Sequence, residues 1–457
     1  MSKKPVLFFI LLILLSSSLF LSASQLKHFD LSARAASMSG AFLAKADDAS
    51  AMYYNPAGIA FHKGTRIKTN LYFNHLKTTA TLPGEDFSHT SNPFQFKGSF
   101  FLTWGISNRL AIGIAGFNAY STQTQWTPRW PGNTLSISSK LNSFTFRPAV
   151  AVQPIKGLAL SIGMDFVSVH SLWSHGLAFP QTSYNVLNDK KVTSNLDTKG
   201  SGSGFVAGLM FKPVRFFQVG ATFKQKISIE QSGTNRFLLI EAFEWTYVPT
   251  PFGQITVTTL LQDFYKFQSV TSSLTLPEET SVGILIRPIP KLELLFDYTK
   301  IRTSQSGDLE FNSVNSGENL NPEFNQLYGD FYGISPDYGT QKVGLTMKDS
   351  TSLRFGMELD LNSLFSVRAG YSTHKNSISF ETLNPAVPDL EHSCISFGLG
   401  YEGSLFSLWS KEKISELSVD VYIQYILAKE QTSSYPGYPY LYDADRWVIG
   451  FGVGLNL

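Results

Sequence analysis

The chain has 457 residues and a formal net charge of +2, which gives no electrostatic basis for binding nucleic acid. Charged residues make up 16% of the sequence, below the roughly 25% of soluble domains, whereas aromatic residues reach 14% and glycine occurs 35 times. This composition is typical of a membrane-spanning β-barrel with aromatic girdles. Because Cys394 is the single cysteine, an internal disulfide is excluded.

The first element is a secretory signal peptide, predicted over residues 1–23. Lys3-Lys4 supplies its positive start, Val6–Leu15 its apolar run and Ser22-Ala23-Ser24 the small residues for cleavage. A transmembrane anchor is the alternative, since the apolar stretch can be extended to Leu21. No later run approaches the ~18 apolar residues of a spanning helix. The remaining chain is therefore either secreted and soluble or spans a membrane as a β-barrel.

Residues 24–62 are predicted to form a plug inside a larger structure. Their central part, SARAASMSGAFLAKADDASAMYYNPAGIA, is rich in small residues that pack tightly, and it carries the acidic pair Asp47-Asp48. It ends at Asn55-Pro56-Ala57-Gly58, where Pro56 lacks an N–H and pushes Asn55 out of the helical region. An Asn side chain can also bond to its own backbone, so a fixed turn is expected. A surface loop rich in small residues is the alternative.

From residue 63 to the C-terminus the pattern alternates with a period of two residues. In Leu417–Leu427 the apolar residues occupy one face, and Trp447–Leu457 repeats this opposite a row of glycines. Runs of about eleven residues match a tilted membrane strand better than a strand of a soluble sandwich, which has five or six. Residues 63–457 are therefore predicted to form an antiparallel transmembrane β-barrel.

The connections between these strands alternate in length. Six are short, at 107–109, 154–157, 212–215, 288–291, 361–363 and, somewhat longer, 403–413. Seven are long, at roughly 83–97, 121–134, 174–192, 233–269, 303–350, 374–391 and 429–444. Outer-membrane barrels have short periplasmic turns and long external loops. Seven long and six short connections give fourteen strands, an even number as bacterial barrels require.

The segments Ser-Arg-Ala-Ala, Gly-Ala-Phe, Asp-Asp-Ala-Ser and Tyr-Tyr-Asn-Pro-Ala-Gly, in this order, resemble the N-terminal hatch of the FadL/TodX family. Ser39 stands where that family more often has glycine. Weaker matches, such as Leu353–Glu358, extend over nearly the whole remaining chain. The resemblance implies a monomeric fourteen-stranded barrel in the bacterial outer membrane. It also implies a hatch that gates the passage of long-chain fatty acids or aromatic hydrocarbons, taken from external lipopolysaccharide or water.

The same resemblance suggests where cargo passes. Asn55, Pro56, Ala57, Gly58, Asp47 and Asp48 are the expected hatch and gating residues. The family has a kink in its third strand that opens the wall sideways, and Gly113 and Gly116 are the glycines expected to permit it here. Family fatty-acid transporters bind the ligand carboxylate with basic lumenal residues. Strand alternation turns Arg147 and Arg354 inward, so we expect one or both to do so; acid–base pairs that hold the hatch are the alternative.

Apolar capture is expected in an external loop, where Leu260, Leu261 and Phe264 show helix-like spacing. Aromatic girdling of the membrane interface is the alternative for such residues. No metal-ligand spacing, nucleophile motif or phosphate loop stands out, so we expect no catalytic residues, metal or cofactor. The sequence predicts passive transport of hydrophobic molecules, most specifically long-chain fatty acids, with lateral release into the membrane. A structural or adhesive barrel and a nonselective porin remain as alternatives.

Overall fold

A closed antiparallel β-sheet dominates the computed structural model, which describes residues 27–28, 30–85, 88–178, 191–239, 247–250, 253–256, 268–314, 340–406 and 413–457. The strands are β1 (Gly64–Thr81), β2 (His89–Ser91), β3 (Phe94–Ser107), β4 (Leu110–Phe117), β5 (Ser121–Gln125), β6 (Ser138–Ile155), β7 (Leu158–Ala178), β8 (Lys191–Val214), β9 (Phe217–Lys224), β10 (Ile227–Leu239), β11 (Tyr247–Thr250), β12 (Gly253–Thr256), β13 (Gln268–Leu276), β14 (Glu279–Ile289), β15 (Leu292–Ile301), β16 (Leu309–Val314), β17 (Thr340–Val343), β18 (Ser350–Asp360), β19 (Phe365–His374), β20 (His392–Phe406), β21 (Lys413–Ala428), β22 (Gln431–Thr432) and β23 (Leu441–Asn456).

The sheet closes because its first and last strands pair with each other. The β1–β23 register runs from Arg66 opposite Asn456 to Thr81 opposite Leu441. Strands β11 and β12 form a separate hairpin. The other 21 strands occupy fourteen positions around the barrel wall, which we call staves, because seven of these positions hold two consecutive strands. These two-piece staves are β2/β3, β4/β5, β9/β10, β13/β14, β15/β16, β17/β18 and β21/β22. The predicted all-β fold and fourteen-stranded barrel are confirmed.

The period-two pattern explains why these segments are barrel strands. In β23, side chains alternate between a buried face, which includes Gly450 and Gly452, and an outward face that includes Ile449 and Phe451. Outward apolar side chains suit the hydrocarbon of a bilayer, whereas a charge there would cost roughly 2–4 kcal/mol at mid-depth. Among the described residues, no helix has the length and apolar character needed to cross a membrane.

Some strands extend further than the sequence predicts. Strand β7 continues to Ala178 and β8 begins at Lys191, so the connection predicted from 174 to 192 is partly strand. Similarly, β20 reaches Phe406 and β21 begins at Lys413, inside the link predicted over 403–413. The reason is backbone pairing, which continues along polar residues beyond the stretch where a lipid-facing side imposes apolar alternation.

The residues that precede β1 lie inside the barrel. They include the short helices α1 (Ala33–Ala36) and α2 (Ala51–Tyr54) and the 3₁₀ helix η1 (Pro56–Phe61); a second 3₁₀ helix, η2 (Thr303–Gln305), follows β15. We refer to residues 30–62 as the N-terminal segment. Helix α1 contacts β20, β21 and β23, whereas η1 contacts β3, β4, β6, β7 and β8, so the segment spans the lumen between opposite sides of the wall. The predicted plug boundaries at residues 23 and 62 stay predictions.

A long connection also folds inward at the opposite end of the barrel. We refer to residues 375–391, between β19 and β20, as the inner loop. Its residues Ile378, Leu383 and Leu390 are fully buried. The short turns and the N-terminal segment therefore lie toward one end of the barrel, which we call the short-turn end, and the inner loop lies toward the long-loop end.

Candidate functional site: a cavity beneath the inner loop

The N-terminal segment is packed tightly against the wall. Between residues 30 and 60 every described residue is buried except Arg34, Asp47 and Asp48, which are partly exposed. Small residues on both sides make this possible: a Cβ placed on the wall glycine Gly370 would lie 2.2 Å from the backbone carbon of Met38. The Ala, Ser and Gly content that suggested a plug therefore has a physical role, because larger side chains would separate the segment from the strands.

The predicted turn at Asn55–Gly58 joins this segment to the wall. The Asn55 side chain accepts from the Ala57 amide at 3.2 Å and donates to the Leu209 carbonyl of β8 at 3.0 Å. Pro56 follows as the first residue of η1, where a missing N–H costs nothing. A Cβ on Gly58 would lie 2.1 Å from the Ala46 carbonyl oxygen, so this position admits only glycine without a backbone shift.

The acidic pair Asp47-Asp48 belongs to an ion-pair cluster. Asp48 accepts from the Lys68 ammonium at 2.6 Å, and Asp47 lies 3.2 Å from both Arg34 and Lys45. Burial by itself raises the pKa of Asp48, but the Lys68 and Arg34 cations outweigh it and hold that pKa well below its ordinary value. At Asp47 burial also raises the pKa, but Arg34 and Lys45 outweigh it and lower that pKa, so both carboxylates are ionised at neutral pH and stabilise the docked segment.

Wall carboxylates complete the cluster. Glu358 of β18 lies 2.8 Å from Arg34 and 2.6 Å from Arg368. Asp420 of β21 accepts from Lys68 at 2.9 Å and from Arg368 at 2.6 Å. Charges of opposite sign alternate from the N-terminal segment into β1, β18, β19 and β21, so the segment is attached to several strands at once.

Arg147 and Arg354, the predicted ligand residues, both lie behind the N-terminal segment. Arg147 is 1% exposed; it pairs with Asp165 at 2.5 Å and donates to the Met52 and Tyr53 carbonyls at 2.9 and 3.2 Å. Arg354 donates to Thr299 Oγ1 at 2.5 Å and is 3% exposed. Neither lines the large cavity described next, as far as the described residues define it.

A cavity of about 270 Å³ lies inside the barrel between Lys27, which precedes the N-terminal segment, and the inner loop. Its surface is mostly apolar and includes Leu141, Trp173, Leu274, Phe311, Leu345 and Val387, although about half of the lining residues are polar or charged. Lys27 lies at the end of the cavity nearest the N-terminal segment and forms an ion pair with Glu279. A mainly apolar chamber with a few convergent polar groups is the usual form of a small-molecule site.

The inner loop covers the cavity from the long-loop end. The Trp126 indole donates to the Pro385 carbonyl at 3.1 Å, and the Ser433 hydroxyl donates to the Leu383 carbonyl at 2.6 Å. Inside the loop, Asp389 accepts from the Ser377 amide at 2.7 Å. Burial raises the pKa of Asp389 to about 6, although the hydrogen bonds from Ser377 act in the opposite direction.

The third stave is interrupted at residues 118–120, between β4 and β5. The β3–β4 register ends with Phe100 opposite Gly116, and within the described strands β5 pairs with β6 alone. The chain before the N-terminal segment fills the interruption: Lys27 bridges Tyr120, and the His28 amide donates to the Ala119 carbonyl at 2.9 Å. Residues 27–28 therefore form the inner side of the wall at this point.

The two predicted kink glycines have different environments. A Cβ on Gly113 would lie 2.5 Å from Met52 Sδ, so this glycine faces the N-terminal segment. Gly116 borders Phe144 and lines a groove of about 400 Å³ on the outer face together with Phe100 and Ile114. Asn70 and Ser99 also line this groove, although both are buried and bond inward, to Ala33 and Leu31. The wall is therefore thin beside the interruption.

Other predicted residues cannot be compared with the structure. Leu260, Leu261 and Phe264, with the signal peptide, lie outside the described residues. The sequence reasoning missed Lys27, and it missed Asp165, the partner of Arg147. Alternation along β7 turns Asp165 inward and could have identified it. No local pattern would have identified Lys27, because its contacts are all distant in sequence.

The comparisons agree with this architecture. The family model described as "Outer membrane protein transport protein (OMPP1/FadL/TodX)" matches residues 12–454. Among curated proteins, none matches the sequence significantly. A Pseudomonas aeruginosa FadL homologue is similar over 95% of this chain and 99% of that chain, with 15% identity and a TM-score of 0.75. The Pseudomonas putida toluene transporter TodX is similar over 97% and 100%, with 13% identity and a TM-score of 0.66. The Ralstonia pickettii toluene transporter TbuX is similar over 93% of this chain and 99% of that chain, with 15% identity and a TM-score of 0.63. At these identities the solved structures show the shared fold.

Proposed function

The chain belongs to the OMPP1/FadL/TodX family of outer-membrane transport proteins, which are channels for hydrophobic compounds and not enzymes, and we propose that its own cargo is a long-chain fatty acid. The resemblance to FadL/TodX and the location in the bacterial outer membrane are thereby confirmed. The finer proposal has three parts: a ligand with an acid head, a gate formed by residues 27–28, which we call the leading end because they precede the N-terminal segment, and lateral exit beside the third stave. The protein acts as a monomer that receives cargo from lipopolysaccharide or water.

The cavity carries the proposal about cargo. Its apolar lining suits an acyl chain, and its volume of about 270 Å³ is near the lower end of ligand pockets, roughly 300 Å³. Lys27 at its end gives the chamber a cation that a hydrocarbon does not need. The cavity therefore offers both features that an amphipathic acid requires, an apolar surface and a charged group.

The charges around Lys27 favour an anionic head group. Four basic side chains gather there with three carboxylates, namely Lys27, Lys224, Arg147 and Arg354 with Glu279, Asp165 and Asp297. The pKa of Lys27 is well below its ordinary value, chiefly because the side chain is buried and also because the cations Lys224 and Arg354 are nearby. A ligand carboxylate would offset this excess of positive charge.

Replacing Lys27 by methionine separates a fatty acid from a hydrocarbon. The variant keeps the apolar length of the side chain but removes its charge, so oleate uptake should fall while toluene uptake is retained. Accumulation of radiolabelled oleate and toluene in cells that depend on this protein measures both. Toluene uptake that exceeds oleate uptake in the unaltered protein would favour the second candidate cargo, a monoaromatic hydrocarbon, which the aromatic lining of Trp173 and Phe311 suits.

The gate can be tested with two cross-links. Lys27 and Tyr120 form an antiparallel bridge, so their Cα atoms are about 4.5–5.5 Å apart, which suits a disulfide. In the Lys27→Cys/Tyr120→Cys variant, oxidation should stop both the toluene uptake and the oleate uptake that remains without Lys27, because residues 27–28 can no longer leave the interruption. Reduction should restore both. Comparing the oxidised and reduced states of one variant cancels the effect of losing Lys27.

A second cross-link is the matched control. Ser39 Oγ lies 3.8 Å from Cys394 Sγ, so Ser39→Cys can join the N-terminal segment to β20 far from the interruption. This lock should leave uptake unchanged if only the leading end moves. Uptake that continues with the 27–120 disulfide closed contradicts the lateral gate, and uptake that stops with the 39–394 disulfide closed means that the whole segment must move.

A further inference from the structure

Four neighbouring turns at the short-turn end share one arrangement of side chains. Each combines an exposed apolar residue with a basic residue one to three positions later. The pairs are Ile106 with Arg109, Ile155 with Lys156, Val214 with Arg215 and Ile289 with Lys291. The last three turns also contain proline, in the sequences Pro-Ile-Lys, Pro-Val-Arg and Pro-Ile-Pro-Lys. We refer to the basic residues Arg109, Lys156, Arg215 and Lys291 as the basic arc.

Backbone hydrogen bonds join these turns edge to edge. The Gln153 amide donates to the Arg109 carbonyl at 2.8 Å, the Lys212 amide to the Gly157 carbonyl at 2.7 Å, and the Arg287 amide to the Phe216 carbonyl at 2.8 Å. Each bond connects one turn to the next around the barrel. The four basic residues therefore lie on one continuous rim rather than at scattered positions.

The positive charge of the rim is not neutralised by the protein. All four residues of the basic arc are exposed, and no ion pair within the described part of the chain includes them. Beyond the arc the sign of the charge changes, because the next turn carries exposed Asp360 and the one after it exposed Glu402. Among the described residues, the rim is thus positive along the staves from β3 to β15, and the next two turns carry Asp360 and Glu402.

The apolar partners of the basic arc are well exposed. Ile155 is 61% exposed and Ile289 is 54% exposed, and Phe216, the residue after Arg215, is also 61% exposed. Apolar side chains beside lysine and arginine suit the boundary of a bilayer, where the apolar groups enter the acyl region and the cations remain among the head groups. Short turns of outer-membrane barrels face the periplasm, so the adjacent lipid is that of the inner leaflet.

We propose that the basic arc binds the head groups of anionic phospholipids in the inner leaflet of the outer membrane. Charge complementarity identifies the lipid, because cations near a membrane surface attract anionic head groups and do not select neutral ones. The exposed apolar residues beside each cation place this contact at the membrane boundary, which a soluble acidic protein would not require. The inference rests on the barrel and its orientation and is independent of the transported cargo.

Trp104 provides a reporter for the lipid beside the arc. It lies on β3 three residues before the turn at 107–109, and its side chain is 55% exposed on the outer face. Lipids with brominated acyl chains quench an exposed tryptophan on contact. The full-length protein, reconstituted in vesicles of phosphatidylcholine, is titrated with brominated phosphatidylglycerol or brominated phosphatidylcholine, and Trp104→Phe identifies the share of the signal due to this residue.

The unaltered protein should prefer phosphatidylglycerol by about five-fold, which corresponds to the roughly 1 kcal/mol that one cation contributes near an anionic surface. The preference should disappear at about 0.5 M NaCl, because salt screens exposed charges. It should also disappear when all four residues of the basic arc are changed to glutamine. A matched variant replaces four exposed basic residues toward the long-loop end, Arg129, Lys199, Lys375 and Lys429, by glutamine and should keep the preference.

Heat-modifiable mobility in gel electrophoresis checks that each variant retains its folded barrel. Equal affinity for the two lipids in the unaltered protein would overturn the proposal. So would a preference that survives in the variant without the basic arc, or one lost equally in the matched variant. Brominated oleate that binds at this site more tightly than phosphatidylglycerol would also overturn it, because the arc would then be a site for free fatty-acid anions.

Discussion

Replacing Arg147 by methionine tests whether this arginine holds the N-terminal segment or binds cargo. Its guanidinium makes two contacts with the Asp165 carboxylate, at 2.5 and 2.7 Å, and donates to the Met52 and Tyr53 carbonyls at the end of α2. Methionine fills much of the same volume without a charge. The substitution therefore leaves the Asp165 carboxylate buried without its arginine partner and removes a donor from both carbonyls.

The magnitude follows from the burial of the pair. Removing one partner of a buried ion pair costs about 3–5 kcal/mol. Because α2 belongs to the N-terminal segment and the β6–β7 pairing does not depend on Arg147, the cost should appear as local undocking of residues 51–61. A loss of about 3 kcal/mol raises the opening equilibrium by roughly a hundred-fold.

Hydrogen–deuterium exchange of residues 51–61 measures this opening. The double variant Arg147→Met/Asp165→Leu is the control, because removing both charges should restore much of the protection. Unchanged exchange at residues 51–61, together with weakened oleate binding, would refute the reasoning. Arg147 would then act as a ligand group and not as an anchor of the segment.

Three further predictions concern the same segment and the inner loop. Gly58→Ala should destabilise docking by about 1–3 kcal/mol in the same exchange assay, because the new methyl would meet the Ala46 carbonyl at 2.1 Å, whereas Gly307→Ala, with nothing within 4 Å, should not. The pKa of Asp389 is raised to about 6, so its stabilising contribution is complete below about pH 4 and lost as the pH rises through 6. Asp389→Asn should therefore raise the free energy of opening of the inner loop at pH 7.5 by up to about 3 kcal/mol, and so slow its proteolysis. At pH 4 the substitution should have little effect. Faster cleavage of the variant at pH 7.5 would contradict this. The pKa of Asp48 is lowered, so its contribution is present above about pH 4 and lost as the pH falls further. Asp48→Asn should loosen the docking of the N-terminal segment at pH 7 but cause little further loosening below about pH 3. Hydrogen–deuterium exchange of the segment measures this. Equal loosening at both pH values would contradict it.

The barrel could be predicted from sequence because its constraint is local. A lipid-facing side requires an apolar residue at every second position, and β23 shows this from Trp447 to Leu455 opposite its glycines. Turn residues with proline or asparagine then mark the ends of the strands, as at Pro154 and Asn362. The extension of β7 to Ala178 could not be predicted in this way, because polar residues beyond the membrane leave both faces alike.

The site could be predicted only in part, because its contacts are distant in sequence. Period two turns Arg147 and Arg354 inward, but it does not say that Arg147 meets Asp165 and the carbonyls of α2. That outcome depends on the register of β6 with β7 and on how the N-terminal segment docks. The inner loop is similar: buried Ile378 and Leu390 in a connection could suggest an inward fold, but not what they cover.

The contacts of the N-terminal segment constrain how cargo can pass along the proposed route. Withdrawing the whole segment would break its ion pairs to Lys68, Glu358 and Glu293 together, and the sum of such losses, at about 3–5 kcal/mol each, is comparable with the 5–15 kcal/mol that stabilises an ordinary domain. No energy source is available to a passive channel to meet that cost.

Moving only the leading end is different, because its main ion pair can be exchanged. Lys27 pairs with Glu279, and Glu279 also lies 3.4 Å from Lys224. Under the proposed route an arriving carboxylate takes Lys27, while Lys224 keeps Glu279 neutralised, so neither charge is left alone when residues 27–28 leave Ala119 and Tyr120. The remaining bonds belong to His28, whose amide donates to Ala119 and whose ring bonds Ser121 at 2.6 Å and lies 3.1 Å from Arg446 Nη2. A hydrogen bond of this kind contributes about 1 kcal/mol, or about 1.5–3 kcal/mol where one partner is charged. The acid head of the cargo would then open the passage that its acyl chain requires.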